Sequence, residues 1–266
     1  MKIEGILRKM RVEMPDEKPL YYLRVGDEEI DLQFFIGKEI SLDFTGDIFC
    51  VKCGRKTKTS FAQGFCYPCF KTAPETEECV LKPELCMAHK GIARDMEYAE
   101  THCLIPHYVY LADTGAIKVG VTRSTQIPTR WIDQGAERAV IIAETPNRYT
   151  AGLVEVDLKK HMSDRTNWRK MLTEHDVSDG PVLEKAREIP DVISDFLSEY
   201  LLHSYSVQNI MYPGKACTGK VSSCNFDKQP LVQGVLQGIK GQYLIFEGNR
   251  VLNIRKFGGY TIVFSA

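Results

Sequence analysis

The chain has 266 residues, room for one large or two modest domains with real cores, and a formal net charge of −1, so no global field drives it to nucleic acid or to a membrane. Charge is instead segregated: residues 50–71 carry five Lys or Arg and no carboxylate, residues 201–266 seven against two acids, and residues 173–200 eight acids against two bases. That pattern permits a basic working face on a neutral protein, and equally uneven solvated surfaces.

The opening MKIEGILRKM lacks the apolar core of a signal peptide, and no run approaches the roughly 20 apolar residues that span a bilayer. The expectation is a cytoplasmic protein without membrane contact, in which nine cysteines serve metal rather than disulfides. Residues 5–10, 20–25, 29–34 and 39–44 read as short strands, with Gly26-Asp27 and Gly37-Lys38 as turn signals. Residues 231–266 echo them. Segments 22–25, 36–37 and 40–44 parallel 243–246, 257–258 and 261–264, and both sets begin Gly-x-Leu, at Gly5 and Gly234. Two such sets form similar small barrels or pair into one.

Cys50-x2-Cys53-x12-Cys66-x2-Cys69 is the strongest chemical signal. Two knuckles at this separation place four thiolates around one Zn²⁺ as a zinc ribbon, with Gly54 and Tyr67-Pro68 supplying the tight turns. A redox pair is the competing use of one knuckle, and a second knuckle argues against it. With every position filled by protein, such zinc is structural. Lys52, Arg55, Lys56, Lys58 and Lys71, interleaved with Phe61, Phe65, Tyr67 and Phe70, suit contact with phosphates and bases; some of these aromatics suit a miniature core instead. Residues 72–103 offer a second zinc set, Cys79, Cys86, His89 and Cys103, with His102 or His107 as substitutes. The segment is polar, so a cross-linking ion would explain its order; buried free thiols are the plain alternative. Cys217 and Cys224 read as unliganded thiols.

Residues 107–122 read as two strands joined at Asp113-Thr114-Gly115. Val109 and Leu111 share one face with Ile117, Val119 and Val121 opposite them in the next strand, leaving Tyr108, Tyr110, Lys118 and Gly120 on an outward face. A helix follows, with Pro128 in its first turn and Gly135 past its end, and carries Arg130 back towards the tyrosines. A strand over 139–144 precedes a helix over 148–162 that bears Glu155 and buries Leu153, Val156, Leu158 and Met162. Arg123, Gln126, Trp131, Gln134 and Thr166-Asn167-Trp168 are expected along the same cleft. Residues 181–202 read as an acidic helix broken at Pro190, packing through Val192, Ile193, Phe196, Leu197, Tyr200 and Leu201. Residues 204–230 are loop-rich.

This order of parts resembles the GIY-YIG nuclease superfamily over roughly residues 105–170. Tyr108-Val109-Tyr110 stands where the first signature tripeptide would be and Lys118-Val119-Gly120 where the second would be. Arg130 matches the helical arginine, and Glu155 the metal-binding glutamate. Two positions depart: Tyr108 replaces the first glycine and Lys118 the second tyrosine. The whole chain is similar to a bacterial family in which such a module follows a zinc ribbon.

The resemblance implies an α+β protein: β-rich ends, a zinc ribbon, and a small three-stranded antiparallel sheet with flanking helices. The boundaries expected are 1–49, 50–71, a zinc-bound 72–103, 104–172, the acidic helical 173–203 and 204–266. It further implies Mg²⁺ or Mn²⁺ on Glu155 and Arg130 on the non-bridging phosphate oxygens. Tyr110 or Tyr108 would orient or deprotonate the attacking water, with Lys118 easing a phenol of pKa ~10 or touching phosphate. Lys52, Arg55, Lys56, Lys58 and Arg123 would contact nucleic acid, DNA or RNA. The same residues have ordinary uses: a Glu155–Lys159 helix pair, or Arg130 bridged to Asp133 or Glu137. Three functions stay open: a zinc-stabilised, metal-dependent endonuclease, a nucleic-acid binder that keeps the fold but does not cut, and a protein-binding adaptor.

Overall fold

The structure, a computed structural model, describes residues 1–173 and 180–266 and shows a mixed α and β protein. Its first part supplies β1 (Lys2–Glu13), β2 (Leu20–Val25), β3 (Glu28–Asp31), β4 (Glu39–Phe49), β5 (Lys56–Thr57) and α1 (Tyr67–Thr72). The middle supplies α2 (Met96–His102), β6 (His107–Asp113), β7 (Ile117–Arg123), α3 (Thr129–Asp133), β8 (Arg138–Thr145) and α4 (Arg148–Leu158). There follow α5 (Trp168–Met171), α6 (Gly180–Arg187), α7 (Ile189–Val192), β9 (Val207–Asn209) and β10 (Ser222–Ser223). The chain closes with β11 (Leu231–Lys240), β12 (Tyr243–Phe246), β13 (Arg250–Asn253) and β14 (Tyr260–Ser265). Two compact units result: Met1–Lys71 with Leu172–Glu174 and Met211–Ala266, and Thr72–Met171 with His175–Ile210. Among the described residues no helix is long and apolar enough to cross a membrane.

In the first unit the two echoing β-sets pair into one sheet. Its strand order is β10-β13-β12-β11-β4-β14-β1-β2-β3, with β5 paired to β4; the eight strands from β13 to β3 read the same from both ends once each is exchanged for its counterpart in the other set. The last strand of each set pairs with the first strand of the other. At the centre β4 meets β14 antiparallel, with Asp43 opposite Val263, Phe44 opposite Ile262 and Leu42 opposite Phe264. Alternation drives the burial: Tyr21, Leu23 and Val25 of β2 are buried and their neighbours are not. Residues 32–34, expected as strand, turn instead into a 3-10 helix (Leu32–Phe35), because the Asp31 side chain accepts from the Gln33 N–H at 3.0 Å. Asn253 does the same for Ile254–Phe257 at the matching place in the second set. The Phe35 ring then meets Phe264 edge-on at 5.7 Å, tying one set to the other.

The second unit is built on the antiparallel sheet β7-β6-β8-β9. A fourth strand thus joins the three expected. β9 falls in a stretch read as loop, since three residues are too few to display an alternating pattern. Val109, Leu111 and Val119 pack with Val140, Ile142, Ala151, Val154 and Leu158. The hairpin turn is held by Asp113, which accepts from the Gly115 N–H at 3.0 Å and from Arg138 at 3.1 Å inside the fold. Asn147 caps α4, its side chain accepting from the Thr150 N–H at 2.9 Å.

Three expectations about faces are overturned. The tyrosine face of the hairpin is not outward: Tyr110, Ala112, Lys118, Gly120 and Thr122 are all buried, so this sheet is covered on both sides. Val156 is 37% exposed rather than buried, while Glu155 and Asp157 lie inside. The acidic stretch breaks at Glu188, just before Ile189-Pro190, as the missing proline N–H requires. It breaks again where Ile193 and Ser194 take extended backbone. The second break loses the helical register, so Phe196 is 69% exposed while Val182, Ala186, Ile189, Ile193 and Leu197 reach the core. The start of that segment, residues 174–179, lies outside the described residues.

Phe264 is fully buried and Phe34 is 69% exposed. Chemical denaturation of Phe264→Ala should show a loss of about 3–5 kcal/mol, against a change within about 0.5 kcal/mol for Phe34→Ala.

Candidate metal centres and active site

Cys50 follows the end of β4, and the chain doubles back at once: the Cys50 N–H donates to the Arg55 carbonyl at 2.9 Å and the Gly54 N–H to the Cys50 carbonyl at 2.9 Å. Phe61 and Phe65 bridge the returning arm, and Cys66 leads into α1. The Sγ atoms of Cys50, Cys53, Cys66 and Cys69 converge within 4.8 Å of one another. Those of Cys53 and Cys66 stand 3.8 Å apart, the separation that Zn–S bonds of about 2.3 Å give across a tetrahedral edge, about 3.8 Å. Burial opposes ionisation of Cys50, yet backbone contacts from Cys66, Cys53 and Lys52 bring its pKa down to about 6. The group could hold a metal ion and is compatible with zinc. Phe61 packs on Tyr67 at 5.5 Å and Phe70 at 5.7 Å, a half-buried cluster from which Tyr67 remains 56% exposed. Lys52, Arg55, Lys56 and Lys58 are exposed, with Lys56 paired to Asp47 at 2.6 Å.

Cys79, Cys86 and Cys103 form a second group, all buried and within the same 4.8 Å limit. Short 3-10 turns (Glu78–Val80, Pro83–Leu85 and Ala88–Lys90) bring the first two together, and α2 brings the third. His89 does not join them. The turn Ala88–Lys90 carries it outward, where its ring stacks on Tyr149 at 4.3 Å. His102 stacks on Tyr98 at 3.7 Å, and His107 Nδ1 is 2.8 Å from the Ile105 carbonyl; neither is in the thiol group.

The sequence reading missed Arg148, whose spacing looks like that of any helical arginine. Its guanidinium, buried, donates to Cys79 Sγ at 3.5 Å and to the His102 carbonyl at 3.1 Å. Three thiolates around a divalent ion would carry one net negative charge, which this guanidinium would offset. Contacts from the Cys103 and Cys79 thiols outweigh burial and pull Cys86 down to about 3, with Arg148 assisting. Arg123 stands beside Tyr98, Arg148 and Cys103, so it belongs to this neighbourhood.

Glu155 lies on the buried side of α4, 8% exposed, and its carboxylate makes no hydrogen bond or ion pair among the described residues. The helix pair with Lys159 does not form: Lys159 binds Asp164 instead, at 3.2 Å. Lys118, 7% exposed, sends its Nζ to the Asp164 carbonyl at 3.5 Å. Burial pushes Glu155 up to about 7, against the pull of Lys159. Burial likewise pushes Lys118 down to about 8, helped by the Arg130 charge and opposed by Glu155 and Asp164. Lys118 of β7 therefore senses both the acid of α4 and the guanidinium of α3, and Glu155 and Lys118 are poised near neutral pH. Arg130 has no side-chain hydrogen bond or ion pair among the described residues, so the bridges to Asp133 or Glu137 are not made.

Tyr110 is fully buried opposite Gly120, where a Cβ would come 2.6 Å from the phenol oxygen; only glycine permits the ring to lie there. Its hydroxyl accepts from Gln134 Nε2, which also donates to the Arg130 carbonyl at 3.1 Å, and Trp131 meets the ring edge-on at 6.0 Å. Tyr110 thus anchors the helix of Arg130 rather than facing solvent. Tyr108, half-buried, has no side-chain partner among the described residues. Gly152, one turn before Glu155, supports the backbone of the turn Pro83–Leu85: a Cβ would come 2.2 Å from Glu84 N and 2.5 Å from the Pro83 carbonyl carbon.

Fold and sites together define a mixed α and β protein with two cysteine groups suited to metal and a buried, uncompensated acid between cations. The chain belongs to the DUF2797 family, described as proteins of unknown function, whose model matches residues 37–262. No curated protein and no solved structure matches it.

Metal analysis of the purified chain should find two thiol-bound ions, zinc expected, with Cys50→Ser and Cys86→Ser each losing one. Gly152→Ala should destabilise the fold by about 1–3 kcal/mol or more in denaturant titration, because backbone rather than a flexible side chain meets the new methyl group.

Proposed function

We propose that this is a nucleic-acid-binding protein whose GIY-YIG-like module hydrolyses phosphodiesters as a metal-dependent endonuclease, with zinc bracing the ribbon and the segment 72–103. One observation carries the reading: Glu155 is almost wholly buried and unpaired, and it feels the charge of Lys118, which in turn feels that of Arg130. A buried carboxylate without partners is costly unless something cationic binds it. Its oxygens are the hard ligands that Mg²⁺ or Mn²⁺ takes. Such an ion, bound on Glu155, would polarise the phosphate and neutralise the leaving oxygen.

The remaining roles fall to the chain's own groups. Arg130, unpaired at the end of a helix pinned by Gln134 and Tyr110, holds the non-bridging oxygens as charge accumulates. Lys118 keeps a proton that it can yield near neutral pH and takes the place of the absent second tyrosine. Tyr108 orients the attacking water, while Tyr110 acts as a positioning residue. Lys52, Arg55, Lys56 and Lys58 grip the phosphate backbone. A non-catalytic nucleic-acid binder is the second reading, favoured by the enclosure of Lys118, Tyr110 and Glu155, each under 10% exposed.

Plasmid nicking in Mg²⁺ or Mn²⁺ tests this. Cutting should fall by about 10²–10³ in Glu155→Gln and in Arg130→Ala, with salt-sensitive binding retained. Cutting unchanged in Glu155→Gln would remove the assignment; binding without cutting by the unaltered chain would leave the binder.

A further inference from the structure

Glu155 is not the only carboxylate without a partner at this place. Glu84, half-buried in the turn Pro83–Leu85, has an Oε2 that is enclosed and makes no hydrogen bond among the described residues. Its backbone lies directly on Gly152. A helical side chain leans towards the N-terminus of its helix, so Glu155 covers the turn that Gly152 begins. The backbone of Glu84 thus lies one helical turn from Glu155, close enough that the Glu84 charge adds to those that resist ionisation of Glu155. Nearby cations do not resolve this: Lys159 is engaged with Asp164, and Lys118 Nζ is directed at the Asp164 carbonyl.

We infer that Glu84 and Glu155 are the two carboxylate ligands of one hard divalent cation, Mg²⁺ or Mn²⁺, whose remaining positions are left to water and to phosphate oxygens of the substrate. Two carboxylates plus water and phosphate is the ordinary way Mg²⁺ is held. Glu84 sits between Cys79 and Cys86, so the thiol-bound ion in the second cysteine group fixes the segment that delivers it. The segment 72–103 is then a working part of the site and not only a brace. This rests on the reading of Glu155 as a metal ligand and adds the residue that reading lacks.

Mn²⁺ binding followed by loss of the free-ion electron paramagnetic resonance signal tests it on the full chain, with both thiol groups loaded; soft thiolates do not compete for Mn²⁺. The unaltered chain should bind one Mn²⁺. Glu155→Gln should abolish binding, Glu84→Gln should weaken it about tenfold or more, the size that even an outer-shell partner can cost, and Glu84→Asp should recover part of the loss. Zinc content should be the same in all four proteins, showing that the cysteine group beside Glu84 is intact. Equal affinity in Glu84→Gln and the unaltered chain, with binding lost in Glu155→Gln, would overturn the role of Glu84 and leave a single-carboxylate site. Binding that survives Glu155→Gln, or no binding at all, would overturn both.

Discussion

At Gly152 the backbone of residues 83 and 84 rests on α4 with no space for a methyl group, and the character of the second unit follows from this contact. A helix covered on that side cannot present the usual half-polar surface. Gly152, Val154, Glu155, Asp157 and Leu158 are all inside, leaving Val156 towards solvent. The covering segment buries little apolar material of its own, since Val80, Leu81, Leu85, Met87 and Ile92 stay exposed. It is held by Cys79, Cys86 and Cys103 and by Arg148, the first residue of that same helix. The placing of the thiol group, the start of α4 and the burial of Glu155 are consequently one mechanical problem.

The electrostatics of the site are a consequence of that enclosure. Removing Glu155 and Lys118 from water moves both towards neutrality, Glu155 up to about 7 and Lys118 down to about 8. Surface pairs behave differently, as Lys56 with Asp47 or Lys82 with Glu78 show; such contacts are screened and contribute little. Inside the fold Arg138 is paired with Asp113, whereas Glu155 is enclosed without an ion pair among the described residues; perturbed groups of that kind mark a candidate site.

How much of this was legible depended on how local the signal is. The convergence of the two Cys-x2-Cys pairs could be read outright, because each pair is brought together by a few residues of chain. The hairpin, the helix of Arg130 and the helix of Glu155 were legible through turn chemistry and periodicity. What failed were inferences about faces. Tyr108, Tyr110 and Lys118 were expected outward because a short hairpin is assumed to have one wet side, and a sheet covered on both sides breaks that assumption. His89 has acceptable ligand spacing, but the direction of a single 3-10 turn decides where its ring goes. Glu84 carried no signal at all, since its place against α4 depends on a glycine 68 residues further along the chain. The echo between the two ends was visible, whereas the choice between separate barrels and one shared sheet was not: alternation shows which side of a strand is buried, never which strand lies beside it.

That shared sheet also has consequences in time. Because β4 is flanked by β14 and β11, and β1 by β14 and β2, the earliest strands to be made must wait for the latest before their edges are satisfied. At synthesis speeds of about 5–20 residues per second, the interval between β4 and β11 lasts roughly ten to forty seconds. During it the nascent chain carries open hydrogen-bonding edges of the kind that invite association between molecules. Newly made protein is therefore most vulnerable before its last strand leaves the ribosome, and chaperone dependence should track the amount of that final segment rather than the integrity of either cysteine group.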